Sequence, residues 1–159
     1  MQELDLKQEK ALMVGVIHGE VDEATAYEHL EELELLAVTA GAEVVGQITQ
    51  RLNKLNPQFL VGKGKADQIV GQAKELDAQL IIFDDDLSPA QAKNFMNLND
   101  NLKVIDRSAI ILDIFRQHAK SREAKTQVEL AHLEYLLPRL TRQWTHLERQ
   151  MGGIGTRAG

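Results

Sequence analysis

Gln79-Leu80-Ile81-Ile82-Phe83-Asp84-Asp85-Asp86-Leu87-Ser88-Pro89-Ala90-Gln91 is the stretch that decides the fold. Gln79–Phe83 is short, apolar and rich in β-branched residues, which predicts a buried strand. Ser88, Pro89 and Gln91 then stand at the N-cap, N1 and N3 positions of a capping box, so a helix starts here and runs to about Leu98. A buried strand running through an acidic loop into a capped helix is half of a βαβ unit.

The same alternation continues in both directions. Lys10–Ile17 and Ala42–Thr49 read as strands, and Asp22–Gly41 between them as a helix. On that helix Tyr27, Leu30, Leu33, Ala37 and Ala40 recur at three- and four-residue spacing, and Gly41 is placed to close it. Arg51–Lys65 is a basic stretch without an acid, ending in Gly62-Lys63-Gly64-Lys65. Ala66–Leu76 reads as a helix, Leu102–Ile105 as a short strand and Ser108–His118 as a further helix. Strands alternating with helices imply a parallel sheet with right-handed crossovers. No strand alternates cleanly between apolar and polar, so helices are expected on both faces. Residues 1–118 therefore read as a small four-stranded α/β domain.

Ser121–Met151 is different, with no strand pattern and no glycine. Leu130, Leu133, Leu137, Leu140, Trp144, Leu147 and Met151 recur at alternating spacings of three and four, a heptad seam. Residues 119–151 read as one helical arm, and a helix over Ser121–Met151 would be about 45 Å long. A domain of this size is only about 30 Å across. The seam must project as a coiled-coil-type arm that needs a partner helix or a second copy. Pro138 should kink it around Glu134–Pro138. Residues 152–159 are glycine-rich and fit the tip of a helical hairpin.

The chain has 159 residues, 43% hydrophobic and 26% charged, as a soluble globular protein has. The absence of cysteine excludes disulfides, thiolate metal sites and cysteine nucleophiles, and fits a reducing compartment such as the cytoplasm. No apolar run approaches the roughly 20 residues of a membrane span, and the first residues do not read as a signal peptide. The net charge of −6 conceals a division. Residues 1–100 carry 8 basic and 18 acidic side chains, whereas residues 101–159 carry 10 basic and 6 acidic ones. A basic C-terminal arm suits a nucleic-acid partner that the average would argue against.

The run Arg122–Leu140 (REAKTQVELAHLEYLLPRL), followed by Gly152-Gly153-Ile154-Gly155-Thr156-Arg157, resembles the HflX family of GTP-binding proteins. Phe59–Lys65, Phe83–Gln91, Asp106-Arg107 and Ile111–Phe115 match the same family in the same order. Ala158-Gly159 departs from the family's continuation. The resemblance implies an N-terminal α/β subdomain, then the first helix and tip of a hairpin. A second hairpin helix and a GTPase domain holding GTP and Mg²⁺ would follow. It further implies binding to the large ribosomal subunit and its rRNA, and a part in splitting stalled ribosomes. The sequence G-x-x-x-x-G-K-[ST] occurs nowhere here, so no P-loop and no catalytic residue is assigned to these residues.

Four groups of residues could carry binding. The tip residues Gly152, Gly153, Ile154, Gly155, Thr156 and Arg157 allow close approach to RNA, with arginine to stack or grip phosphate. Arg139, Arg142 and Arg149 on the arm suit phosphate contact, as do Lys120, Arg122 and Lys125 upstream. Lys63 and Lys65 could meet a phosphate or RNA, or simply be solvated at a helix start. Asp84-Asp85-Asp86 could hold a cation with them in a weak ATP-type site, or solvate a loop. The five histidines show no metal-ligand spacing, although His118, His132 and His146 lie 14 apart and should share one helical stripe. Self-association through the exposed seam is a third reading beside RNA and nucleotide binding.

Overall fold

A computed structural model of the chain describes residues 9–139. Its elements are strand β1 (Lys10–His18), helix α1 (Glu23–Ala40), β2 (Glu43–Leu52), α2 (Lys63–Glu75), β3 (Leu80–Phe83), α3 (Pro89–Leu98), β4 (Lys103–Asp106), α4 (Arg107–His118) and α5 (Arg122–Leu136). A 3₁₀ turn over Leu137–Arg139 follows. The strands form one parallel sheet in the order β2-β1-β3-β4.

Each element has a local cause. Asp22 caps α1 by accepting from the Thr25 amide at 2.8 Å, and Gly41 ends it at φ 107°, a left-handed conformation that glycine adopts without strain. Ser88 and Gln91 form both halves of the capping box on α3. Ser121 caps α5 through the Ala124 amide at 3.0 Å.

The sheet core is apolar on both faces. Every residue of β3 and β4 is buried, as are the seven central residues of β1. Against it pack Leu30, Leu33 and Ala37 of α1, Ile69 of α2, Phe95 of α3 and Ile110 of α4. α4 lies beside α1, and α5 packs on α4.

Several boundaries differ from the sequence reading. β2 runs on to Leu52 because its register with β1 continues to the pair His18–Leu52. It is half-buried along most of its length, so the helices cover this edge strand less fully than β1, β3 and β4. Tyr27 is 41% exposed, and Ala26 takes the inward position on α1 instead. α2 starts at Lys63, so the Gly-Lys-Gly-Lys run is its cap and first turn. α4 starts at Arg107, because the Asp106 carboxylate caps the Ala109 amide. α4 ends at His118 and α5 is a separate helix, so His118 and His132 share no stripe. His146 lies outside the described residues.

α5 ends at Leu136, and Pro138 sits in the 3₁₀ turn that follows, as a proline without a backbone donor requires. Leu130, Leu133 and Leu137 are 58%, 46% and 62% exposed, an apolar face uncovered among the described residues. The rest of the seam, from Leu140 to Met151, and the glycine-rich residues 152–159 lie outside the described residues.

Candidate functional site at the carboxyl edge of the sheet

β1 connects outward to β2, whereas β3 connects the other way to β4. The carboxyl ends of these two neighbouring strands are therefore a topological switch point, where open α/β sheets bind ligands. A cleft of about 180 Å³ opens there, lined by Gly15, His18, His29, Thr49, Asp84 and Asp85 among others. Gly15 gives α1 room. A Cβ at that position would lie 2.9 Å from Leu30 Cδ1.

The three aspartates after β3 are each committed to a protein donor. Asp85 Oδ2 meets His18 Nε2 at 2.9 Å. Burial pushes the Asp85 carboxyl above its ordinary value, against the attraction of His18. Asp84 accepts from Arg107, whose Nε lies 3.0 Å away and whose Nη2 also bonds Asp84 and the His29 carbonyl. Asp86 accepts from the Ser108 hydroxyl at 2.8 Å. No group of three or more metal-ligating side chains is assembled among the described residues.

A second network lies one residue further on. Asp106 is fully buried and accepts three donors: the Leu87 amide at 2.9 Å, the Ala109 amide at 3.2 Å and Tyr135 Oη at 2.9 Å. Burial still raises its carboxyl above the ordinary value. Burial also raises the Tyr135 hydroxyl, with the Asp106 charge adding to it, so this proton stays on the tyrosine at neutral pH. Arg139 donates to the carbonyls of Tyr135 at 2.7 Å and Leu87 at 2.8 Å, and its guanidinium carbon lies 3.9 Å from the Tyr135 ring centre. Arg139 is thus held against the α/β body. Its role in meeting phosphate, expected from the sequence, has to compete with these bonds.

Gly62-Lys63-Gly64-Lys65 is placed apart from the cleft. Gly62 donates to Gln50 Oε1 at 3.2 Å, and Lys63 Nζ pairs with Asp67 at 3.0 Å while lying 5.9 Å from the Phe59 ring. The cleft lining includes Asp84 and Asp85 but neither Lys63 nor Lys65. The structure does not bring the acidic loop and these lysines into one nucleotide site. Lys120 lies just before α5, and Arg122 and Lys125 lie in its first turn; all three are exposed. Arg142, Arg149 and residues 152–157 lie outside the described residues.

Three features of this edge give no signal in the sequence. His18 is the partner of Asp85, Arg107 is the clamp on Asp84, and Tyr135 is the partner of Asp106. A lone histidine, arginine or tyrosine carries no spacing pattern, since each partner is 23 or more positions away. Elsewhere, Leu60 stands at φ 67° and 3% exposed, in a loop that Asn56 closes by accepting from the Gln58 and Phe59 amides. Asn56-Pro57 is the local cue to that turn.

Two family models match the chain. One, described as GTP-binding GTPase N-terminal, covers residues 27–116, and the other, GTP-binding GTPase Middle Region, covers residues 118–159. They meet where α4 ends. The chain is 47% identical over 149 residues to the GTPase HflX of Flavobacterium psychrophilum, covering 94% of this chain and 36% of that protein. It is 48% identical over 130 residues to the GTPase HflX of Escherichia coli K12, covering 82% of this chain and 30% of that one. It thus spans about a third of the length of these relatives. Among solved structures, a GTP-binding protein from Sulfolobus solfataricus in complex with GDP superposes with a TM-score of 0.64 at 25% identity. That match covers 92% of this chain and 43% of the other.

Proposed function

This chain belongs to the HflX family of GTP-binding proteins, and from that premise we propose that it is the ribosome-binding N-terminal region of an HflX-like translational GTPase. The whole protein would act in the cytoplasm, splitting or rescuing stalled ribosomes. GTP and Mg²⁺ would be held by a GTPase domain outside these 159 residues, since they contain no P-loop sequence. Among the described residues no helix is long and apolar enough to cross a membrane.

The labour divides by charge. The acidic α/β body orients the protein. The basic C-terminal segment reaches the large subunit through Arg142 and Arg149. The tip Gly152-Gly153-Ile154-Gly155-Thr156-Arg157 meets rRNA, where glycines permit close backbone approach and Arg157 supplies a planar cation. A second hairpin helix covers the seam begun by Leu130, Leu133 and Leu137. The observation that carries this reading is the continuous match to both family regions in one chain, ending on the Gly-rich run.

Binding of the chain to purified large ribosomal subunits across a salt titration tests it. Truncation after Arg149 should weaken binding severalfold. Unchanged affinity would remove the tip from the interface, and no binding by the intact chain would remove the reading.

A further inference from the structure

We propose that Tyr135 and Arg139 are positioning residues that clamp the 3₁₀ turn at Pro138 to the loop after β3, so that this turn and the wall of the switch-point cleft move as one unit. Leu87 is gripped from both sides of its peptide. Its N–H donates to Asp106, and its C=O accepts from Arg139. Tyr135 closes the ring by donating to the same Asp106 carboxylate and lying under the Arg139 guanidinium. Residues from three separate places in the chain thus hold one another.

Three observations separate this from ordinary helix capping. First, the bond from Arg139 to Leu87 spans 52 positions, so it ties two elements and not one helix end. Second, Arg139 Nε is buried without a hydrogen-bond partner among the described residues. Such a group is costly to bury. Its place follows from the two carbonyls and the ring that the guanidinium holds, a geometry that a planar fork can satisfy and an ammonium cannot. Third, the gripped loop is the one whose other residues build the cleft. Asp85 reaches His18 on β1, and Asp84 reaches Arg107 on α4. Only Asp86, itself bonded to Ser108, stands between Asp85 and the gripped Leu87. The gripped turn is also where proline removes a helical bond, so bonds within the helix hold it less than they hold the rest of α5.

The clamp is a property of the chain alone, so it stands or falls separately from ribosome binding. Amide hydrogen exchange on the isotope-labelled chain tests it. In Arg139→Met, exchange at Leu87 and Ala109 should rise about tenfold, as expected when one buried bond opens locally. Resonances of His18 and Asp85 should shift, while the central amides of β1 keep their rates. Arg139→Lys should not restore the wild-type pattern. Tyr135→Phe, which keeps the ring and removes one hydroxyl, gives the same readout should the arginine variant fold poorly. From the other end, Asp85→Asn should perturb Tyr135 and Arg139. A change confined to residues 136–139, with Leu87 unmoved, would overturn the proposal. So would a rise spread equally over every amide, which would make the pair a stability element only.

Discussion

His18 Nε2 lies 2.9 Å from Asp85 Oδ2, and this pair ties the carboxyl end of β1 to the loop that leaves β3. Both side chains are partly buried, at 34% and 22% exposed. Burial outweighs the histidine and holds the Asp85 carboxyl above its ordinary 3.8. A carboxyl that binds its proton more tightly folded than unfolded adds stability fully below pH 3.8 and loses it as pH rises through the folded value. Asp85→Asn keeps an acceptor for His18 and has no proton to lose. Its stability relative to the parent should therefore improve with pH across that window and level off above it. Urea denaturation from about pH 3 to about pH 7 measures this. A relative stability that falls with pH would mean the histidine dominates.

Asp106 should tolerate replacement much less well. Its two oxygens take three donors in a fully buried place. Asn would turn an NH₂ group toward at least one of these donors. Asp106→Asn should cost about 2–4 kcal/mol, from a lost cap and unpaired buried groups. Tyr135→Phe removes one bond from the same carboxylate and should cost about 1–2 kcal/mol. Their ranking in urea midpoint is the check.

Two glycines give opposite signs for the same change. A Cβ on Gly15 would lie 2.9 and 3.0 Å from the two methyl carbons of Leu30, which is 2% exposed and packed in the core. Gly15→Ala should destabilise by about 1–3 kcal/mol through overpacking. Gly71 lies inside α2 with open space where its Cβ would stand. Gly71→Ala should stabilise by up to about 1 kcal/mol, the helical preference of alanine over glycine. Thermal melts of the two variants beside the parent decide it.

The fold was legible because its signals are local. Leu80–Phe83, the Ser88-Pro89-Gln91 cap and Gly41 each announce an element within a few residues. Boundaries slipped where a distant partner decides them. β2 runs to Leu52 because β1 lies beside it, and α4 starts early because Asp106 turns to cap it. The candidate site was half legible. Asp84-Asp85-Asp86 stood out as a run of charge, but its three partners come from β1 and α4, and no periodicity links them. The family motifs contain Asp106, Arg107 and Tyr135 without saying that Tyr135 bonds Asp106.

The apolar face of α5 predicts association of this chain in isolation. Leu130, Leu133 and Leu137 are each about half exposed or more, and a shallow surface runs from Lys125 to Leu133. Such a stripe is poorly tolerated in water. Light scattering over a concentration series should show reversible self-association. Leu130→Lys with Leu133→Lys should reduce it while shifting the melting temperature little, since neither residue is in the core. A parent chain that stays monomeric at every concentration would argue against an uncovered seam.

The arginines of the C-terminal segment should separate into two kinds. An arginine that neutralises one RNA phosphate contributes somewhat under one unit to the slope of log affinity against log salt. Arg142→Ala, Arg149→Ala and Arg157→Ala should each reduce that slope for large-subunit binding and leave the melting temperature nearly unchanged. Arg139 is different, because its guanidinium is already bonded to the carbonyls of Leu87 and Tyr135 and stacked on a ring. Arg139→Ala should lower the stability by about 1–3 kcal/mol, as expected when charged hydrogen bonds and packing disappear together. It should weaken binding, through the 3₁₀ turn it no longer holds, without changing the salt slope. If Arg139→Ala instead reduces the slope as the others do and leaves stability alone, its side chain leaves the body to meet phosphate on the ribosome, and the bonds to Leu87 belong to the free protein only.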